Sequence, residues 1–130
     1  MYTKARLEQI DLLGEILKLA EEKHATLKAR GTNPTAASTE DQLEKLDQLI
    51  EHSKVQHAKF RHWRADELSN VQLDICAALL NIRVLMGRVT PSDKLARGFL
   101  HLALALRKMR HLLISYEDKQ RNALEAKQVG

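Results

Sequence analysis

Seven apolar residues, Leu95, Phe99, Leu102, Leu106, Met109, Leu113 and Tyr116, follow one another at alternating steps of four and three. Only an α-helix gathers that spacing onto one side of the chain, and about three heptads of it make a seam suited to coiled-coil-like packing. A start signal precedes it: Thr90 as N-cap, Pro91 at the first helical position and Asp93 three residues after the cap, a variant of the capping box. A helix over about 91–122 is therefore predicted, on the order of 48 Å long at roughly 1.5 Å per residue, with a frayed tail over 125–130.

The same period recurs upstream. Leu7, Ile10, Leu13, Leu17, Ala20, His24 and Leu27 form a stripe widened by Leu12 and Ile16, which predicts a first helix over about 3–30. Lys28 and Arg30 suit the negative end of its dipole, Gly31 offers a left-handed residue after the last turn, and Pro34 follows in a polar loop over 31–38. A second helix over about 39–64 starts from Ser38 or Thr39 as N-cap with Glu40 and Asp41 in the first turn. Its seam, Leu43, Leu46, Ile50, Ser53, His57 and Phe60, carries two polar residues at inward positions. No Gly or Pro separates Thr35 from Met86, yet the apolar phase slips near Asp66, and a break is expected there. A third helix over about 66–86 follows, with Leu68, Val71, Ile75, Ala78, Leu79, Ile82 and Leu85 on one face and Leu73, Cys76, Ala77, Leu80 and Val84 on the other. A helix apolar nearly all round is central in its domain or covered by a partner.

The predicted fold is thus all-α, an antiparallel helical bundle of about four helices in one domain spanning 1–130. Composition agrees. The chain has 5 Gly, 2 Pro and 4% aromatic residues, which disfavours a β-rich fold, and 44% hydrophobic against 29% charged residues, which is too apolar for disorder. Its lone Cys76 allows no internal disulfide, sits in an apolar run and reads as buried filler in a reducing compartment. A charged N-terminus without an apolar segment makes a cytoplasmic location the expectation, with no membrane partner.

Charge is uneven. Residues 1–50 hold seven Lys/Arg against nine Asp/Glu, and residues 51–130 hold fourteen against eight, or −2 and +6. An acidic partner would meet the second part of the chain.

Chemistry-bearing motifs are missing from the sequence: it has no G-x-S-x-G, no phosphate-cradling glycine loop and no H-E-x-x-H. His52, His57 and His62 are five apart, so successive rings point about 140° from one another on a helix and do not share a face. Glu21 and His24 have the E-x-x-H spacing of carboxylate-bridged metal bundles, but a second copy is absent. No catalytic, cofactor or metal site is expected, and the chain reads as a non-enzyme.

Two surfaces remain as candidates. Leu100 and Leu104 project opposite the long seam, bordered by Arg97, His101, Arg107 and Lys108, and an apolar strip rimmed by charge is how an interaction surface looks. The leading expectation is a protein-binding adaptor, regulator or inhibitor that works through the hairpin of the third and fourth helices, partnered by another protein or, as a homodimer, by itself. The second surface is the cluster Lys59, Arg61, Trp63 and Arg64 around Phe60, which interleaves cations with aromatic rings; with Arg107, Lys108, Arg110 and His111 it gives the alternative of a nucleic-acid-associated protein. Its structural reading is that Phe60 belongs to the seam and Trp63 plugs the corner between the second and third helices.

Overall fold

The computed structural model describes residues 4–129, with side chains from 8 to 127, so the Thr3 start, the Leu7 seam position and Gly130 lie outside the described residues. Four helices are present: α1 over Lys4–Ala29, α2 over Glu40–His62, α3 over Asp66–Met86 and α4 over Ser92–Val129. They run alternately up and down, α1 packing on α4, α4 on α3 and α3 on α2. The predicted seams supply the core: Ile10, Ala20, Leu46, Ile50, Phe60, Leu102, Leu106, Met109 and Leu113 are all buried in one cluster with Val71, Ile75 and Ile82 of α3. Each such side chain contributes about 1.5–3 kcal/mol by leaving water, which is why the heptad spacing outweighs the modest intrinsic helix propensity of the β-branched residues.

The helix ends follow local chemistry. Gly31 closes α1 in the left-handed region at φ 67. Thr39 caps α2 in a full capping box, its hydroxyl accepting from the Gln42 amide while the Gln42 side chain accepts from the Thr39 amide. The break between α2 and α3 is a tight reversal in which the Ala65 amide donates to the Phe60 carbonyl and the Arg64 amide donates to that of Arg61. That pair of bonds is a Schellman motif, and its left-handed residue, usually glycine, is here Arg64 at φ 56. A side chain in that region costs roughly 1–2 kcal/mol. Replacing Arg64 with Gly is expected to stabilise the fold by about 1 kcal/mol after the added freedom of the unfolded chain is discounted. Thermal unfolding followed by circular dichroism checks it, as a rise in Tm of a few degrees; an unchanged or lower Tm contradicts it.

Two boundaries differ from expectation. Thr90 and Pro91 do not open α4: they form a two-residue strand, β2, antiparallel to β1 at Pro34–Thr35, with Pro34 opposite Pro91 and Thr35 opposite Thr90. The Thr90 hydroxyl donates to the Leu85 carbonyl at 2.7 Å instead of capping the next helix. Ser92 is fully buried, its amide donating to the Asn33 carbonyl and its hydroxyl to that of Gly31. Tertiary pairing between the two loops thus takes over the groups that a free helix start would have used. At the other end α4 does not stop near residue 122; it continues to Val129, with residues 119–127 exposed.

Among the described residues α3 is the one helix long and apolar enough to cross a bilayer by length and composition. Its position between α2 and α4 explains much of that character, because Cys76 and the polar Ser69 and Gln72 are buried along with its main face. The other part of its second face is not buried. Leu73, Leu80 and Val84 are exposed, and they open the question of what meets them.

Candidate functional site

Leu100 and Leu104 are 40% and 50% exposed, so the outer side of α4 is not core within this chain. On α3, Leu73 and Leu80 are 53% and 44% exposed, with Val84 one turn on. The spacing 73, 77, 80, 84 places these three and Ala77 on one strip of α3, as 97, 100, 104, 108 does on α4. Beside the two strips runs a groove of about 570 Å³, lined by Ala77, Ala78, Leu104 and Ala105 together with Asp74, Asn81, His101 and Lys108. Leu73, Leu80, Val84 and Leu100 lie on the helix surfaces next to it and do not line it. The two helices approach closely at Gly98, where a Cβ would lie 3.2 Å from Ile82 Cγ1.

The predicted border residues take distinct places. His101 and Lys108 lie in the groove on the α3 side. Arg97 is exposed and reaches Asp93 at 3.9 Å along its own helix. Arg107 leans the other way, toward α1, where it is paired with Glu21. His24, the partner of Glu21 in the E-x-x-H spacing, is turned to the Ala96 carbonyl at 2.9 Å, so these two residues serve α1 to α4 packing. Arg88, Lys108 and His111 are exposed, and the groove's own acid is Asp74. The groove's lining thus holds one cation, Lys108, and one carboxylate, Asp74, with His101 beside them. The sequence marked a second apolar face on both helices; on α3 periodicity alone left open whether a neighbour in this chain or a partner covers Leu73, Leu80 and Val84, and here all three are exposed.

The second surface is also displaced from expectation. Phe60 is buried and fills the corner between α2 and α3, whereas Trp63 is 57% exposed and meets Phe60 edge to face, the ring centroids 6.1 Å apart. Trp63, Lys59 and Arg64 line a cleft of about 740 Å³ between α1 and α2 that reaches Leu12, Leu68, Leu113 and Tyr116. Arg61 is exposed on the same helix and does not line it. Among the described residues the hydrogen bond that links α1 to α2 is the long one from Gln9 Nε2 to Gln56 Oε1, at 3.5 Å. The cleft exists because these two helices, adjacent in sequence, are packed on α4 and α3 more than on each other. Tyr116, the last seam position, is exposed here and not core.

Neither the sequence nor the fold gives an outside indication of function: no family model and no curated protein matches the chain, and no solved structure matches it.

Proposed function

We propose that this protein is a non-enzymatic protein-binding adaptor whose α3–α4 hairpin receives an amphipathic helix with acidic flanks from a partner protein. The observation that carries this reading is the exposed apolar strip on each helix of the hairpin, Leu100 and Leu104 on α4 and Leu73, Leu80 and Val84 on α3, beside a groove lined by Leu104 and three alanines, left in water at a cost of about 1 kcal/mol for each half-exposed leucine. Charge selects the occupant. Arg97 and Lys108 lie on the α4 strip itself, so a helix with Glu beside its apolar stripe complements it, while a second copy of the same α4 strip brings cation to cation.

The test uses a designed helical peptide with a leucine stripe and Glu flanks, fluorescently labelled and titrated with the full chain. Saturable binding is expected, weakened at least about tenfold by the pair Leu100→Glu and Leu104→Glu, since two buried leucine contacts are worth that much. The helical circular dichroism of the variant should be unchanged. Equal binding of a peptide with Lys flanks, or undiminished binding by the variant, overturns the reading. So does a light-scattering mass showing a dimer that the same two substitutions dissociate, which makes the second copy the occupant.

A further inference from the structure

The cleft between α1 and α2 has a character of its own. Its walls are Leu12, Phe60, Leu68, Leu113 and the rings of Trp63 and Tyr116, and its volume of about 740 Å³ lies in the range of small-molecule sites, roughly 300–1,000 Å³. Its polar groups are the Gln9 and Gln56 amides, His52, Glu8, the Tyr116 hydroxyl and the cations Lys59 and Arg64. Neither of those cations has an acidic partner within ion-pair distance among the described residues, so the cleft holds two cations against the single carboxylate of Glu8, a net positive charge. Arg64 also stands at the left-handed position of the α2–α3 reversal, where glycine is conformationally cheaper. A strained backbone that delivers a cation to the edge of an apolar cleft is the combination seen where strain serves a ligand.

We propose that this cleft binds an amphiphilic carboxylate of the fatty-acid class, its alkyl chain lying among Leu12, Phe60, Leu68 and Leu113 and its carboxylate meeting Lys59 and Arg64. The alkyl body follows from the aliphatic side of the cleft, Leu12, Leu68 and Leu113, which together with the ring faces of Phe60 and Trp63 can bury a hydrocarbon chain. The anionic head follows from the two free cations, because a charge-assisted pair is about twice as strong as a neutral hydrogen bond. The site is separate from the α3–α4 groove and does not depend on it.

Trp63 is the only tryptophan of the chain and lies in the cleft, so its fluorescence reports occupancy directly. The full chain is titrated with decanoate below its micelle concentration, and in parallel with decyltrimethylammonium and with adenosine monophosphate. A saturable change with decanoate alone is expected. Arg64→Gly and Lys59→Gln should each weaken it about tenfold, and Leu100→Glu with Leu104→Glu should leave it unchanged. Arg64→Gly keeps the test interpretable, since that variant gains stability while losing the ligand. The proposal is overturned by the absence of saturation with decanoate, by equal affinity for the cationic amphiphile, by unaltered affinity in both charge variants, or by loss of the signal in the leucine variant. Saturation by the nucleotide and not by decanoate overturns it as well and assigns the cleft to a base stacked on Trp63.

Discussion

Truncating Ile82 to Ala is expected to remove about 2–5 kcal/mol of stability, out of a total of roughly 5–15 kcal/mol for a domain. Ile82 is 0% exposed and sits where α3 meets α4, packed against the bare backbone of Gly98. Removing its distal carbons leaves a void that the two long helices are poorly placed to close, because their approach is fixed by contacts above and below. Urea unfolding read by circular dichroism gives the loss as a lower midpoint at constant slope. Gly98 supplies the control. Gly98→Ala adds helix propensity worth about 1 kcal/mol but places its Cβ 3.2 Å from Ile82 Cγ1, and overpacking costs roughly 1–3 kcal/mol. In the double variant the new methyl occupies part of the void, so the combined cost should fall below the sum by at least about 0.5 kcal/mol. Additive costs would mean that the two positions do not share the contact.

A second large effect is expected at the polar gap in the α2 seam. Ser53 and Gln72 are both buried, and the Gln72 amide donates to Ser53 Oγ at 2.7 Å. Ser53→Ala strands that amide away from water at about 1–3 kcal/mol. Converting both, Ser53→Ala with Gln72→Leu, removes donor and acceptor together and should recover most of the loss or exceed the parent. Stability no better in the double variant than in the single one would show that Gln72 has work beyond this bond. Such a pair also fixes the register of α2 on α3, since a shift by one turn would bury each polar group against hydrocarbon.

These two sites show what the sequence discloses and where it stops. Inward positions were legible from spacing alone: Leu46, Ile50, Ser53 and Phe60 of α2 are all buried as the seam requires, polar Ser53 included. The α2–α3 break was legible as a slip of phase, although nothing marked Arg64 as its left-handed residue. Thr90-Pro91-Ser92-Asp93 misled because a capping signal is local and β1, more than fifty residues upstream, is not. The outer leucines of α4 were legible as a surplus over the seam. Those of α3 were legible as a second apolar face, though not whether this chain or a partner covers it, because burial depends on which helix lies beside it. The cleft was the least legible, assembled from Leu12, Phe60, Trp63 and Leu113 on three helices with no shared spacing.

The strand pair joins two of the three inter-helix connections at a single end of the bundle. Ser38 bonds to Met86 there, and Ser92 bonds to Asn33 and Gly31, so the connections into α2 and α4 are clasped together. At the opposite end lies the α2–α3 reversal with the cleft beside it, and among the described residues no strand pair joins the chain there. In mechanical terms the loops are a rivet that fixes one end of the bundle. A molecule entering the cleft would work at the end away from that rivet, while the α3–α4 groove lies along two helices that close on each other over Gly98.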